Sequence, residues 1–303
     1  MSTLTNLSDE LSAAVAAAGK STVAVTGGRR RSSSGVVWRD GVVVTADHTL
    51  ERDDDLAVID AKGATRDASL AGRDRTTDLA VLRVDTPGAS PSARADAASL
   101  AVGQLVLAIG RLGPDGIAAS MGVMSALDGP WTTWRGGRVD RFVRADLSAY
   151  PGFSGGPLVD VRGAVIGINT SGLSRNWSLT VPASTVDRVA DALLAGGRIA
   201  RGYLGVGLQP VRVPEQLART LQLGKSGGAI VVAVENGSPA ERGGLLIGDV
   251  LTALDGEAIA DVEDIHAELG PERVGRPVTL RVIRAGALAD VKVVVGERPH
   301  GDE

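Results

Sequence analysis

Apolar residues fall in short Val-rich runs along most of the chain: TVAV at 22–25, GVVW at 35–38, GVVVTA at 41–46, LAVI at 56–59 and LAVLRV at 79–84. A second series follows, QLVLAIG at 104–110, GVMSAL at 122–127, RFVRA at 141–145, PLVDV at 157–161 and AVIGINT at 164–170. Runs of this length, broken by Gly, Asp and Ser, predict the strands of an all-β barrel or sandwich. The stretch at 86–99 has few large apolar residues and separates two β units, 20–86 and 100–183. Helical spacing flanks them. Residues 8–18 read as a helix with Ser8 as N-cap, and 184–195 as a Ser/Thr-capped helix with a stripe of Val186, Val189, Leu193 and Leu194, ended by the glycines at 196–197. A small mixed α/β unit then begins, with strands at 228–234 and 279–286 and a helix near 261–269. The last five residues read as a frayed tail.

The 303-residue length favours two domains, which the pattern places at 1–198 and 199–303. With aromatics at 3%, the cores must be built from Val, Leu, Ile and Ala. The 36 acidic and 32 basic residues give no basic footprint for nucleic acid and no polybasic membrane anchor. The absence of cysteine excludes disulfides, thiolate metal sites and a cysteine nucleophile. The N-terminus lacks a basic region before its short Ala-rich stretch, and no run approaches the roughly 18 apolar residues of a membrane helix. The expectation is a cytoplasmic protein without a transmembrane anchor; a periplasmic or secreted location is the alternative if a leader was removed.

The segment DLSAYPGFSGGPLVD at 146–160 carries the chemistry. Ser154 lies among glycines, which let the backbone turn tightly enough to aim N–H groups at a developing oxyanion. The same letters fit G-x-S-x-G, but that nucleophile elbow needs a following helix and the order Ser, acid, His. Here Pro157 and a strand-like run follow, and the only later histidines are His266, in a helix, and His300, in the tail. His48, at the end of a Val-rich strand, is the candidate base. Asp78 stands where a polar loop enters an apolar strand, and an acid there can hold an imidazole by its Nδ1. Ordinary turn or surface readings compete at each position; the order of the three residues weakens them together.

His48 in TADH, Asp78 in TTDLAVL and Ser154 in GFSGGPL resemble the three catalytic blocks of chymotrypsin-fold serine peptidases. Ser34-Gly35-Val36-Val37, Val44-Thr45 and Ala108-Ile109-Gly110 are most similar to the HtrA (Deg-type) family. RGYLGV at 201–206 and SPAERGGLLIGD at 238–249 resemble the PDZ domain that follows the protease there. The resemblance implies a mainly β fold: a double six-stranded β-barrel, chymotrypsin-like, followed by a small α/β PDZ domain. It implies a serine endopeptidase acting on unfolded or exposed protein segments, with Ser154 as nucleophile, His48 as base, Asp78 as orienting acid, and the Gly152 and Ser154 amides as oxyanion hole. It implies a substrate pocket at Ala149, Tyr150, Thr170, Ser178 and Leu179. It also implies that Tyr203, Leu204, Gly205 and Val206 receive peptide C-termini, and that homotrimers form; no aromatic residue precedes Trp38 to build one as family trimers often do. No metal or cofactor is called for. Phe153 stands where the family usually has Asn, and the specificity loop reads Asn176 to Pro182; Phe153 bears on whether the oxyanion loop rests in an active form. The alternatives are a weakly active, chaperone-like peptide-binding protein and a small-substrate esterase.

Other signals are set aside. AAAGKST at 16–22 lacks the strand that a P-loop needs before it. Asp53 to Asp55 lack calcium-loop spacing. Arg29 to Arg31 read as a solvated hairpin turn. Trp131 and Trp134 read as a hairpin loop that either shields the cleft or packs on itself.

Overall fold

The computed structural model describes residues 3–27, 32–85, 91–113, 116–174, 178–200 and 202–297. The basic run at 29–31, the specificity-loop residues Asn176 and Trp177, and the tail with His300 lie outside them. The chain divides into two compact units, 1–199 and 200–303.

In the first unit, β1 (Thr22–Thr26), β2 (Ser33–Arg39), β3 (Val42–Ala46), β4 (Leu56–Ile59), β5 (Thr65–Asp74) and β6 (Leu79–Val84) close a barrel in the order β1-β2-β3-β6-β5-β4. Successive side chains on a strand face opposite ways, and in β1, β2, β3 and most of β6 both ways are buried. Val37, Val43 and Leu82 fill the barrel, while Val36, Trp38, Val44, Leu79 and Val81 join a larger core outside it. This is why the strands read as unbroken Val runs rather than as an alternation.

The second series forms β7 (Leu105–Arg111), β8 (Ile117–Asp128), β9 (Trp131–Thr132), β10 (Arg138–Val139), β11 (Phe142–Asp146), β12 (Pro157–Asp160), β13 (Val165–Thr170) and β14 (Leu179–Pro182). Six of them make a sheet ordered β11-β8-β7-β12-β13-β14. It curls until β11 and β14 lie together, a barrel completed without a hydrogen-bonded ladder between them among the described residues. Val106, Ala108, Met124, Leu158 and Ile166 point inside; Leu107, Ile109, Val159, Val165 and Ile168 join the shared core.

Helix α1 (Thr3–Gly19) starts five residues before Ser8, which is therefore inside the helix and not its cap. Its C-terminal carbonyls, which lack intrahelical partners, are met by side chains. Ser21 and Thr22 hydroxyls donate to Ala18, and the buried Arg111 guanidinium donates to Gly19 and Thr22. Helix α2 (Ala183–Gly196) has Pro182 at its N-cap with no side-chain cap bond; Thr185 instead accepts from Asp140 N–H. It ends on Gly197 in the left-handed conformation (φ 72°). Val186, Val189 and Leu193 are buried with Ala190, whereas Leu194 is only partly so. Trp38 Nε1–H donates to Asp187 of α2 at 2.7 Å. In the β9–β10 hairpin Trp131 meets Phe142 edge to face at 5.7 Å, so it packs locally, while Trp134 is 66% exposed under the Arg135 guanidinium.

The second unit has a five-strand path of β16 (Val206–Arg212), β17 (Gly227–Val234), β18 (Val250–Leu254), β20 (Pro277–Arg284) and β21 (Ala287–Val294). Short β19 (Glu257–Ala258) pairs with β18, and β15 (Gly202–Tyr203) with β22 (Gly296–Glu297). Helices α3 (Glu215–Thr220), α4 (Pro239–Gly243) and α5 (Val262–Glu268) accompany the sheet. Ser238 caps α4 and Asp261 caps α5 through side-chain acceptance of backbone N–H.

One fully buried residue, Ser34 on β2, links the first barrel to the second. Its N–H donates to Ser154 C=O at 3.1 Å, its hydroxyl donates to Gly152 C=O at 2.7 Å, and its Oγ accepts Arg111 N–H at 2.9 Å. Buried polar groups are costly to leave unpaired. Ser34→Ala strands the Gly152 carbonyl and the Arg111 amide, and we expect it to lower stability by about 1–3 kcal/mol, measured by denaturant unfolding.

Candidate active site

The acid is built first. Asp78 immediately precedes β6, is 1% exposed, and has φ 57°. That left-handed conformation is one Asp tolerates better than most residues. Its carbonyl accepts Asp47 N–H at 3.1 Å. Its carboxylate accepts three bonds: His48 N–H on Oδ1 at 2.9 Å, His48 Nδ1 on Oδ2 at 2.7 Å, and the Thr170 hydroxyl on Oδ2. His48 is thus gripped by main chain and ring together. With Nδ1–H donating to the acid, Nε2 is an acceptor.

His48 sits in a single 3-10 turn, Asp47–Thr49, directly after β3. The Arg73 guanidinium binds Asp47 and the exposed Asp53 by their carboxylates, and the carbonyls of Asp47 and Leu50 at 3.1 and 3.0 Å. Asp47 is 4% exposed, and burial pushes its carboxyl above the usual range despite Arg73; the nearby charge of Asp78 adds to the rise.

Ser154 follows a tight turn from Tyr150 to Phe153, with Pro151 and Gly152 at its centre. Phe153 N–H donates to Tyr150 C=O at 3.0 Å, and Gly152 has φ 92°. Pro then Gly is the sequence such a type II geometry requires. Among the described residues neither Gly152 N–H nor Ser154 N–H donates to a protein acceptor. Phe153 turns away from the nucleophile into the core of the second barrel, 1% exposed, edge-on to Tyr150 at 5.5 Å and flat against Gly110, where a Cβ would come within 2.6 Å of the ring. Burial of such a side chain contributes about 1.5–3 kcal/mol, so Phe153 anchors the loop with apolar contact.

Ser154 Oγ and His48 Nε2 are not directly hydrogen-bonded among the described residues. Ser171 lies between them, its Oγ 3.3 Å from each. Gly172 follows; a Cβ there would fall 2.6 Å from Asp78 Oδ2 and 2.8 Å from His48 Nδ1, so only glycine fits against the pair.

These groups open on a cleft of 790 Å³, lined among others by Ser32, His48, Thr49, Glu51, Ala149, Tyr150, Gly152, Ser154, Ser171 and Ser178. Ala149, Tyr150 and Ser178 therefore lie where the sequence expectation put a substrate pocket. Thr170 and Leu179 do not line it. Thr170 is 1% exposed and bonded to Asp78, and Leu179 points into the shared core, because both belong to strands whose two faces are buried. Ser171, Arg73 and Ser34 were not singled out from sequence as site residues. Ser34 had appeared only within a family block, and nothing local distinguishes the other two.

In the second unit, Tyr203 to Val206 connect β15 to β16. Gly205 has φ 76°; Leu204 C=O accepts Ala240 N–H at 2.8 Å and Gly205 C=O accepts Glu235 N–H at 2.9 Å. The Leu204 and Gly205 amides have no protein acceptor among the described residues. The Leu204 side chain is buried in the core, and Tyr203 OH donates to Glu235. β16 is an edge strand, with α5 alongside it. His266 is exposed on α5.

Residues 33–168 match the trypsin-like peptidase domain family and residues 202–295 the PDZ domain family. A probable periplasmic serine endoprotease DegP-like of Rhizobium meliloti (strain 1021) is 34% identical over 282 residues, 89% of this chain and 54% of that protein. Its namesake in Halomonas elongata is 36% identical over 283 residues, 91% of this chain and 58% of that one. The chain spans about half the length of the curated relatives it matches. Among solved structures, the HtrA-type protease AlgW with tripeptide is 30% identical with a TM-score of 0.78, covering 96% of this chain and 98% of that chain. The serine endoprotease from Yersinia pestis is 25% identical with a TM-score of 0.77, covering 95% and 98%. A trypsin-like peptidase domain followed by one PDZ domain, with this identity over the whole length of a solved HtrA-type protease, makes the chain a member of the HtrA-type, DegP-like serine protease family.

Proposed function

We propose that this chain is a serine endopeptidase that cleaves exposed protein segments through an acyl-enzyme. The observation that carries the reading is the buried Asp78 holding His48 by backbone and ring, with Nε2 3.3 Å from the Ser171 hydroxyl that also neighbours Ser154 Oγ in the same cleft. Ser154 Oγ attacks the peptide carbonyl and its proton passes to His48. Asp78 stabilises the imidazolium, and the unspent amides of Gly152 and Ser154 receive the oxyanion. Protonation of the leaving amine by His48 frees the first product, and water releases the second. Nucleophile–base contacts are often loose before substrate binds, so the gap between Ser154 and His48 does not favour the chaperone-like alternative. The open cleft suits a polypeptide better than a small ester.

The second unit is proposed to bind peptide C-termini. Its free edge strand β16 suits strand addition, and the Leu204 and Gly205 amides suit a carboxylate. Solved structures of AlgW are with a tripeptide and with a decapeptide. For location, the similarity to probable periplasmic endoproteases supports the periplasm in place of the cytoplasm. No helix among the described residues is long and apolar enough to cross a membrane. Assembly into trimers is proposed from the family alone.

Ser154→Ala is expected to abolish casein digestion and labelling by a fluorophosphonate; labelling that persists removes Ser154 from its role. Arg73→Ala leaves Asp47 buried beside Asp78 without its hydrogen-bonded cation, with only the weaker charge of Arg75 nearby. We expect it to lower stability by about 3 kcal/mol at about pH 7 and kcat/KM by up to about 100-fold through misalignment of the His48 turn. Because Asp47 then has a folded-state pKa raised still further, the folded form takes up its proton more readily than the unfolded form. The stability deficit must therefore shrink as pH falls toward about 4, the ordinary aspartate value. Unfolding curves at the two pH values check the sign. For the second unit, calorimetry with a peptide ending in an apolar residue should show binding that weakens by about ten-fold or more when its C-terminus is amidated, the loss of a charge-assisted contact.

A further inference from the structure

The cleft has two ends, and the chemistry of the site tells them apart. The acyl half of a substrate places its carbonyl oxygen on the Gly152 and Ser154 amides, so it lies toward Ala149 and Tyr150, on the turn that supplies those amides. The half that leaves must bring its nitrogen to His48, which protonates it. That half meets the wall that continues from His48 through Thr49 to Glu51.

Glu51 is fixed by its main chain. Its N–H donates to Gly27 C=O at 3.2 Å, and the preceding Leu50 is buried, with its carbonyl bound by Arg73 at 3.0 Å. The Glu51 side chain is exposed. Two carboxylates that follow it are already occupied by cations: Asp53 binds Arg73, and Asp55 binds Arg52 at 3.0 Å. Glu51 has no side-chain partner among the described residues. Glu51 and His48 are the only acidic or basic side chains that line the cleft; the others are Ser, Thr, Ala, Gly, Pro and Tyr. No group of the cleft wall answers the Glu51 carboxylate, which is left for a ligand.

We propose that Glu51 is a specificity-determining residue that selects Lys or Arg within the first three residues after the scissile bond, a role that rests on Ser154 being the nucleophile and His48 its base. The aliphatic stem of Lys or Arg carries its charge to the edge of the cleft while the substrate main chain stays at Ser154. Asp and Glu at the same place are repelled. The pair is exposed, so it sets a preference of a few-fold among cleavage sites and leaves the chemical step to the triad.

The test reads cut sites. Casein is digested by the full chain, with Ser154→Ala as the blank, and the new termini are located by mass spectrometry. From one cut site, peptides are made that carry Lys, Ala or Glu at the first, second or third residue after the cut. Their C-termini are amidated to keep them from the second unit. At one of these positions kcat/KM should rank Lys above Ala above Glu, with Lys over Glu by about five-fold at low ionic strength. The ratio should fall toward one at about 1 M salt. Glu51→Gln should bring it close to one, and Glu51→Lys should invert it. Each ratio is taken within one variant, so a loss of rate common to all peptides cancels. A ratio near one in the unmodified chain, or an unchanged ratio in Glu51→Gln, overturns the proposal. So does a preference for Glu, the choice that Arg29 to Arg31 ahead of Ser32 in the sequence would impose. Absence of cuts by the unmodified chain beyond the Ser154→Ala blank overturns the peptidase reading itself and is separate from these results.

Discussion

His48 and Asp78 belong to the first barrel and Ser154 to the second, so the proposed catalytic geometry exists only while two separately built sheets keep one alignment. Apolar packing brings the barrels together but is non-directional. Direction comes from buried polar groups that cross between them. Ser34 reaches from β2 to the carbonyls on either side of Phe153, and Thr170 reaches from β13 to the carboxylate of Asp78. Each bond adds little net stability, about 1 kcal/mol, but a buried group left without its partner costs more than the bond contributes. Sliding one barrel over the other would break several at once. Phe153, anchored against Gly110, adds a fixed apolar point between the two carbonyls that Ser34 binds.

The same economy governs charge. Asp47 and Asp78 are both buried, and the charge of Asp78 is close enough to disfavour ionisation of Asp47. They are distinguished by their partners. Asp47 has the Arg73 guanidinium, whose remaining donors tie down the turn that carries His48. Asp78 has only neutral donors and the imidazole. In the proposed mechanism its charge is therefore left for the moment at which the imidazole becomes a cation. Arg73 serves geometry and electrostatics together: it offsets the acid that does not react and holds the backbone of the residue that does.

What could be read from the sequence follows the same division. Strands were legible because burial on both faces leaves Val in consecutive positions, a signal local to each run. His48 and Ser154 were legible because few alternatives exist and their glycine- and strand-rich surroundings are local too. The start of α1 was missed because its first turn carries polar residues and ordinary capping types inside the helix as well as before it. Thr170 and Leu179 were placed with the pocket although their strand faces inward on both sides, a fact that no spacing within the segment reveals. Ser34, Arg73 and Ser171 act on residues far from them in sequence, between 17 and 123 positions away along the bonds named here. Only the closed barrels bring such partners together.

In the proposed reading, the two units, taken separately, use one backbone device for two kinds of negative charge. At Gly152 and at Gly205 a positive φ turns the chain sharply, and neighbouring carbonyls are occupied elsewhere: Gly152 C=O by Ser34, Leu204 C=O by Ala240, and Gly205 C=O by Glu235. With the carbonyls committed, the adjacent amides have no internal acceptor and are left for a ligand. A loop that binds a peptide C-terminus meets a full carboxylate and can be rewarded for holding it. A loop that serves catalysis must hold the neutral carbonyl weakly and the oxyanion strongly, which demands a fixed position more than a strong donor. The Gly152 loop is tied down by Ser34 on one side and Phe153 on the other, and the Gly205 loop by its own backbone bonds and the buried Leu204 side chain.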